Sequence, residues 1–350
     1  MGPFAAATAR IAPLDPSAMA AAEARHARLL KPAGALGRLE ALGVQLAGIA
    51  GVCPPPVPDQ VAVAVFAGDH GVVAAGVTPW PQSVTAAMVA AVATGRAAIS
   101  VLAGRIGARL VVVDVGVATE LPPEIAALPA VWARTVRRGT GDLSAGSAMT
   151  LAEAHAALDV GAAVAERLVA DGAGLLVTGD LGIGNTTASA ALVSACTGRN
   201  ARDCTGRGAG IDDEMLARKR VVVGAAVGCL PPGLAPVEVL ASVGGLEHAA
   251  LAGFIVGGAA ARVPVVLDGV IALAAACIAE ALVPGTMAHC IAGHRSAEPG
   301  ATVALEHLGL VPLVDLGLRL GEGTGAALAV PVIQAAAATL AGMGTLDELG

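Results

Sequence analysis

Four runs of mostly β-branched apolar residues, each ending in an aspartate or a glycine, constrain the fold of this 350-residue chain most strongly. They occupy residues 60–71, 109–117, 174–185 and 262–270. Continuous apolar runs are typical of strands that are buried on both faces, as in a parallel sheet. The alanine-rich stretches between them, among them 83–102, 150–169 and 246–262, have a helical composition. Strand alternating with helix predicts an α/β fold with a doubly wound parallel sheet.

The two ends of the chain have a different pattern. Residues 13–46 are mostly helical in pattern, and the proline-rich segment 53–58 separates them from the first strand. The last stretch of about 60 residues also has the pattern of helix and loop. We therefore expect the two ends to pack together as a small helical cap beside the sheet.

Each predicted strand delivers a carboxylate to its carboxyl end, where ligands bind in sheets of this kind. The four residues are Asp69, Asp114, Asp180 and Asp268. A turn or helix cap explains a single aspartate equally well, and both interpretations stay open for Asp114 and Asp268. His70, which follows a buried strand, is more typical of a hydrogen-bonded core residue than of a base or ligand.

One glutamate, Glu322, lies among three glycines in the segment RLGEGTG, residues 319–325. Only 14% of the chain is charged, so an acidic residue in this apolar stretch is conspicuous. Glycines allow positive φ and the close approach of a ligand, and partial burial raises a carboxyl pKa toward neutrality. Glu322 is thus a candidate general base, the alternative being a helix N-terminus with an acidic first turn.

Two loops have the composition of phosphate sites. The segment LGIGNTT, residues 181–187, follows a strand and precedes a helix, where backbone N–H groups bind anions. It matches neither a Walker loop nor G-x-G-x-x-G, which argues against an ATPase and against an ordinary dehydrogenase. A glycine-lined turn with a threonine cap is the structural alternative. The second loop, 205–213, precedes a helix with Lys219, which either contacts phosphate or pairs with Glu214 on the helix surface.

Composition excludes several other classes of protein. A net charge of −7 and five aromatic residues argue against nucleic acid as a partner. The six scattered cysteines include no C-x-x-C pair, so we expect no zinc site and buried free thiols in a reducing cytoplasm. The N-terminal residues lack the pattern of a signal peptide. The uncharged segment 323–346 is mostly alanine with a proline, which predicts a buried helix rather than a membrane span.

Taken together, the motifs resemble the nicotinate-nucleotide–dimethylbenzimidazole phosphoribosyltransferase family nearly from end to end. The matching segments are KPAGALGRLE (31–40), 66–89, DVGV (114–117), GIGNTT (182–187), TGRGAGIDD (205–213), VPVVLDG (263–269), HRSAEPG (294–300) and RLGEGTGAA (319–327). The resemblance implies a cytoplasmic enzyme of cobalamin nucleotide-loop assembly. It would transfer the 5-phosphoribosyl group of nicotinate mononucleotide to 5,6-dimethylbenzimidazole, giving α-ribazole 5′-phosphate and nicotinate. No metal and no cofactor are implied.

The resemblance also implies roles for individual residues. Glu322 would accept the proton of the attacking base. The nucleotide and its phosphate would be bound by Asp180, Gly182, Gly184, Asn185, Thr186, Gly208, Lys219 and Ser296. The base pocket would be lined by Thr78, Trp80, Gln82, Met88 and Leu320, although core packing equally explains Trp80 and Met88. Asp180 replaces the usual glutamate, Ala209 and Ala35 each replace a usual hydroxyl residue, and the position of Trp80 varies in the family.

For the fold, the resemblance implies a Rossmann-like large domain, residues 60–285. Residues 1–59 and 286–350 would form a small helical domain that closes over the active site, and the protein would be a homodimer. Two alternatives within this fold remain, namely a transferase that uses a different acceptor base and a non-catalytic protein that binds a ribotide or a base. Loss of Glu322 would favour the non-catalytic protein, but Glu322 is present.

Overall fold

The computed structural model describes residues 1–349 and contains one sheet of six parallel strands. The strands are β1 (Val61–Gly68), β2 (Arg109–Gly116), β3 (Val131–Ala133), β4 (Leu175–Leu181), β5 (Val265–Leu267) and β6 (Cys290–Ala292). Their order across the sheet is β3-β2-β1-β4-β5-β6, and every pairing is parallel. This is the strand order of a Rossmann-like, doubly wound sheet, so the predicted α/β fold is confirmed.

Fifteen α-helices surround the sheet in the described residues. They are α1 (Pro3–Thr8), α2 (Pro16–Arg28), α3 (Arg38–Ala50), α4 (Ser83–Ala93), α5 (Ala98–Arg105), α6 (Pro123–Ala126), α7 (Leu151–Ala170), α8 (Asn185–Thr197), α9 (Ala201–Cys204), α10 (Asp213–Gly228), α11 (Pro236–Val243), α12 (Leu246–Ala260), α13 (Val270–Leu282), α14 (Pro299–Leu308) and α15 (Thr324–Gly342). Short 3₁₀ turns lie at Gly71–Ala75, Thr286–His289 and Leu346–Leu349.

Alternate residues of β1 belong to two separate hydrophobic cores. Ala62, Ala64 and Phe66 face the core that contains α7, α8, α12 and α13. Val63 and Val65 face the core that contains α3, α4, α5 and α15. Because successive strand residues point to opposite faces, a strand between two helical layers must be apolar at every position. The uninterrupted apolar run of the sequence has this physical cause.

Small side chains allow helices α7 and α12 to pack in direct backbone contact. A Cβ atom at Gly161 would lie 1.7 Å from the carbonyl oxygen of Ala250, so no side chain fits there. Helix α12 is buried along nearly its whole length, between α7 and the sheet. A chain with 46 glycines and 1% aromatic residues thus fills its interior by bringing backbones together.

Three predictions from the sequence require correction. Residues 83–102 form two helices, α4 and α5, because Gly95 adopts a φ of +80° between them. The predicted strand at 262–270 is only the three residues of β5, and the short strands β3 and β6 were not predicted. Cys229 is exposed, and Cys53 and Cys196 are partly buried, so the expectation of buried thiols holds only for the other three cysteines.

Both chain ends contribute to one small apolar cluster. It joins Ala18, Ala22 and Leu29 near α2 with Ala47 of α3 and Leu340 of α15. Helix α1 packs instead against α7 and α12, which lie within the predicted large domain, residues 60–285. The proposed domain boundaries at residues 59 and 286 therefore stay a prediction.

Two helical segments of the described chain reach the length and hydropathy of a membrane span, Ser83–Arg105 and Thr324–Gly342. The first is interrupted at Gly95, and the second packs against α3, α5 and the sheet. Buried helices of globular proteins have the same composition, so these segments are weak evidence for a membrane protein. Absence of a membrane span stays a prediction.

Candidate active site

A cavity of about 450 Å³ opens at the carboxyl ends of β4 and β5. It brings together ten of the predicted site residues, namely Trp80, Met88, Asp180, Gly182, Asn185, Thr186, Gly208, Ser296, Leu320 and Glu322. A smaller cavity of about 50 Å³ shares its lining at the 182–186 loop and adds Thr78, Gly184 and Lys219. Ligand pockets of proteins typically measure about 300 to 1,000 Å³, and the larger cavity lies within that range.

Glu322 lies on the wall of the large cavity, in the loop that precedes α15. It is buried and has a φ of +65°, between Gly321 and Gly323, which also have positive φ. Its Oε2 atom accepts a hydrogen bond from the Ile99 amide at 3.4 Å. Burial raises the pKa of Glu322, the Ile99 hydrogen bond opposes this shift, and the charge of Asp268 adds to it. A carboxylate with a raised pKa on a cavity wall is suited to accept a proton.

Asp180 is a second buried carboxyl group in the same cavity. Its Oδ1 atom accepts a hydrogen bond from Asn185 Nδ2 at 3.2 Å, and Oδ2 has no partner within the described residues. Burial raises the pKa of Asp180 well above its usual value, and the charges of Asp268, Glu247 and Glu322 add to the shift. Burial therefore favours the protonated form of Asp180, and its Oδ2 atom is available to a ligand within the described residues.

The glycine loop before α8 requires glycine at two positions. A Cβ atom at Gly182 would lie 2.1 Å from the carbonyl oxygen of Gly68, and Gly184 has a φ of +95°. The Ile183 amide donates to Thr85 Oγ1 at 3.1 Å, which ties the loop to α4. No threonine side chain caps α8, a described helix whose N-cap is Gly184, so the alternative of a turn with a threonine cap is wrong.

Lys219 is buried beneath the two loops. Its Nζ atom donates to Thr186 Oγ1 at 2.8 Å and to the Gly206 carbonyl at 3.2 Å. Burial lowers the pKa of Lys219 to about 8, an effect that the carboxylate of Glu298 opposes. The alternative of a surface pair with Glu214 is wrong, because Glu214 pairs with Arg218.

Glu298 and Arg319 line the cavity but were not assigned a role from the sequence. Glu298 Oε1 accepts a hydrogen bond from the Gly208 amide at 2.8 Å, and Arg319 Nη1 donates to the Gly208 carbonyl at 2.9 Å. The two side chains therefore fix the 205–210 loop from both sides. The sequence did contain a signal for both residues, because Glu298 lies in the HRSAEPG segment and Arg319 lies in the RLGEGTG segment.

The predicted base-pocket residues are distributed unevenly. Trp80 and Leu320 are 47% and 58% exposed and lie with Met88 on the cavity wall. Thr78 accepts a hydrogen bond from the Trp80 amide at 3.3 Å and lines only the smaller cavity. Gln82 lines neither of these two cavities, since its Nε2 atom donates to the His70 carbonyl at 2.9 Å. The structure thus places an aromatic and an apolar side chain at the cavity entrance.

The remaining strand-end aspartates have structural partners. Asp69 accepts hydrogen bonds from the Thr85 hydroxyl and the Ala118 amide. Asp114 accepts from the Val117 amide at 2.9 Å and the Thr135 hydroxyl at 3.0 Å. These contacts resolve the open question for Asp114 in favour of a structural role.

A buried polar cluster lies beneath the glycine loop. His70 Nε2 and His248 Nδ1 each lie 2.7 Å from Glu247 Oε1, and His248 Nε2 lies 2.8 Å from Ser189 Oγ. The interpretation of His70 as a hydrogen-bonded core residue is confirmed. Atoms of the two histidines and Glu247 lie within 4.8 Å of one another, a spacing that a metal ion can bridge. The Glu247 carboxylate already contacts both imidazole rings, and none of these side chains is open to solvent.

Known proteins of one family are similar to this chain over nearly its whole length. A family model described as phosphoribosyltransferase matches residues 11–350. The nicotinate-nucleotide–dimethylbenzimidazole phosphoribosyltransferase of Salinispora tropica is 55% identical over 354 residues, covering 98% of this chain and 97% of its own. The enzyme of the same name from a Roseiflexus species is 51% identical and covers 98% and 96%. The crystal structure of CobT from Thermus thermophilus superposes with a TM-score of 0.92 at 47% identity, covering 96% and 99%.

Proposed function

Because this chain belongs to the phosphoribosyltransferase family that includes the nicotinate-nucleotide–dimethylbenzimidazole phosphoribosyltransferases, we propose that it catalyses the reaction of those relatives. It transfers the 5-phosphoribosyl group of nicotinate mononucleotide to 5,6-dimethylbenzimidazole, giving α-ribazole 5′-phosphate and nicotinate, in cobalamin nucleotide-loop assembly. The observation that carries the proposal is Glu322, a buried carboxylate with a raised pKa on the wall of a cavity of about 450 Å³.

The reaction is a displacement at C1′ of the ribose. A ring nitrogen of the base forms a bond to C1′, while the bond from C1′ to the nicotinate nitrogen breaks and its electron pair leaves with nicotinate. Positive charge develops on the ribose in the transition state, as in glycoside hydrolysis. The other ring nitrogen of the base gives its proton to Glu322, which also orients the ring through that hydrogen bond. The leaving group is a cationic pyridinium that departs as a neutral ring, so the leaving nitrogen needs no proton.

Lys219 supports phosphate recognition at the smaller cavity. We propose that its Nζ atom, with Ser296 and the glycine loop from Gly182 to Thr186, binds the nucleotide 5′-phosphate. An ammonium buried without an acidic partner in hydrogen-bond contact is costly unless an anion joins it. The contacts to Thr186 and Gly206 hold the amine at the edge of the cavity where such an anion would lie.

Lys219→Met is expected to weaken nicotinate mononucleotide binding by about 10- to 100-fold, the range for a hydrogen bond to a charged group. Because the pKa of Lys219 is about 8, wild-type affinity should fall as pH rises above 8, and the variant should lose this dependence. Calorimetric titration at several pH values measures both effects. Arg218→Met removes a neighbouring exposed charge and serves as the control, which should retain wild-type affinity. Equal affinities in the two variants would contradict the assignment.

Trp80 and Leu320 support a base site at the cavity entrance. An exposed indole offers a stacking surface to a flat ring, so Trp80→Ala should raise KM for dimethylbenzimidazole by about 3- to 10-fold. The KM for nicotinate mononucleotide should stay unchanged. Trp132, the second tryptophan of the chain, lies in β3 outside the cavity lining, so Trp132→Ala is the matched control. Equal changes in both KM values would assign Trp80 a structural role.

The direct test mixes the purified protein with nicotinate mononucleotide and dimethylbenzimidazole and follows both products by chromatography. We expect nicotinate and α-ribazole 5′-phosphate to form in equal amounts, and only when the base is present. Turnover with another benzimidazole or purine alone would identify a different acceptor base. Nucleotide binding without turnover of any base would favour the ribotide-binding alternative, and no binding would refute the proposed function.

We further propose that the protein is a cytoplasmic homodimer without a membrane span. Light scattering of the purified protein measures its molar mass and so tests the homodimer.

A further inference from the structure

Asp268, at the end of β5, makes two hydrogen bonds to the segment that carries Glu322. It is fully buried, its Oδ2 atom accepts from the Gly323 amide at 3.1 Å, and its Oδ1 atom accepts from the Ala326 amide at 2.9 Å. These amides belong to the N-terminus of α15, where backbone N–H groups lack partners within the helix. The carboxylate therefore fastens the start of α15 to the sheet and compensates the positive end of the helix dipole.

The backbone at Glu322 depends on such support. A φ of +65° is unfavourable for a residue with a side chain and persists only where the surrounding structure enforces it. On the sheet side, Gly179 leaves space for the loop, because a Cβ atom there would lie 2.5 Å from the Glu322 carbonyl oxygen. On the helix side, Asp268 holds the next residue, Gly323, directly. Within residues 1–349 the Glu322 side chain accepts one hydrogen bond, the long one from Ile99, so its direction depends on its backbone.

We propose that Asp268 is a positioning residue for the proton acceptor Glu322, which it orients by binding the Gly323 and Ala326 amides. The inference rests on the proposed function. Asp268 does not line the cavity, so it acts through Glu322 and not on the substrates.

Asp268 also contributes to the electrostatics of Glu322. The titratable and charged side chains around Glu322 are Asp268 at the end of β5, Asp180 at the end of β4, Arg319 in its own loop, His294 after β6 and Glu298 in the cavity lining. His294 Nε2 lies 3.4 Å from Asp268 Oδ1 and packs beside Gly325. Burial is the main cause of the raised pKa of Glu322, and the negative charge of Asp268 adds to the shift. Loss of that charge should therefore lower this pKa and move the acidic limb of kcat/KM to lower pH.

The test compares Asp268→Asn with Asp114→Asn in the full-length protein. Both replace a buried strand-end aspartate that accepts backbone amides, but only Asp268 contacts the Glu322 segment. We expect Asp268→Asn to lower kcat by about 10- to 100-fold, the range for a misplaced catalytic group. Its Kd for nicotinate mononucleotide should stay within about threefold of wild type, and its acidic limb should move to lower pH. Asp114→Asn should retain the wild-type kcat and the wild-type acidic limb.

Thermal unfolding of each variant verifies that it folds. If Asp268→Asn does not fold, Asp268→Glu takes its place, because it keeps the charge but displaces the oxygens. It should lower kcat and leave the acidic limb unchanged, and a wild-type kcat would overturn the inference. Suppose that the wild-type protein turns over and that Asp268→Asn cannot be distinguished from Asp114→Asn in kcat or pH profile. This result would overturn the inference and leave the proposed function standing. A wild-type protein without turnover would overturn the proposed function and the inference with it.

Discussion

Replacement of Glu322 by glutamine is expected to lower kcat by about 10² to 10⁴, the span typical of a general base. Glutamine keeps the size and one hydrogen-bonding oxygen of the side chain, but it cannot accept the proton of the base. The affinity for nicotinate mononucleotide should stay within about threefold of wild type, because the proposed role of the side chain is to bind the base and not the nucleotide. Steady-state kinetics with both substrates and calorimetry with the nucleotide measure the two quantities.

The pH profile gives a second measure of the role of Glu322. A general base works in its ionised form, so wild-type kcat/KM should fall as pH decreases through the raised pKa of Glu322. Glu280→Gln is a suitable control, because Glu280 fixes a loop by accepting the Gly285 and Met287 amides away from the cavity. It should retain the wild-type kcat and pH profile. An unchanged rate in Glu322→Gln would remove this residue from the mechanism.

The parallel sheet was predictable because its cause is local. Residues 61–67 must be apolar at every position, since one set of alternate side chains enters each of two cores. Such a run is visible in the sequence without knowledge of its partners. Strands β3 and β6 have only three residues each, too few for a pattern to distinguish them from a loop. The break between α4 and α5 depends on the single residue Gly95, whose positive φ was not predictable among 46 glycines.

The site was predictable to the extent that its chemistry is carried by unusual residues. Glu322 is an acidic residue among glycines, and Lys219 is one of two lysines, so both were conspicuous. The partners of these residues come from distant segments. Lys219 contacts Thr186, 33 residues away, and Asp268 contacts the Glu322 segment, 55 residues away at Gly323. Pairings of this kind follow from the strand order, which the sequence does not state.

Glu247 was missed for the same reason, since it lies in an alanine-rich helix and its partner His70 is 177 residues away.

Replacement of Glu247 by glutamine is expected to lower the free energy of unfolding by about 3 to 5 kcal/mol, the usual effect of removing one partner of a buried ion pair. Burial alone would raise the pKa of Glu247, but the charges of His70 and His248 outweigh it and hold the pKa below its usual value. Denaturant titration near pH 6 measures the loss.

The pH dependence of stability follows from the same pair. Burial opposes the charged form of His70, but the charge of Glu247 outweighs it and raises the pKa of His70. The raised histidine pKa stabilises the fold below 6.5 and the lowered glutamate pKa stabilises it above 4.5, so the pair contributes most between these values. The contribution is lost as pH rises through the folded value of His70 or falls through that of Glu247. Glu247→Gln should flatten this dependence.

Glu153, at the start of helix α7, provides the control for the stability loss expected in Glu247→Gln. Glu153 closes a capping box with Thr150 at the N-terminus of α7, and Glu153→Gln should cost at most about 1 kcal/mol. If Glu247→Gln cost no more than this, the buried pair would not stabilise the fold.

Loss of the buried pair should also affect the candidate site. The His70 carbonyl accepts a hydrogen bond from Gln82, and His248 contacts Ser189 of α8, the helix that follows the glycine loop. A Glu247 variant that loses stability should therefore also bind nicotinate mononucleotide more weakly, whereas Glu153→Gln should bind it with wild-type affinity.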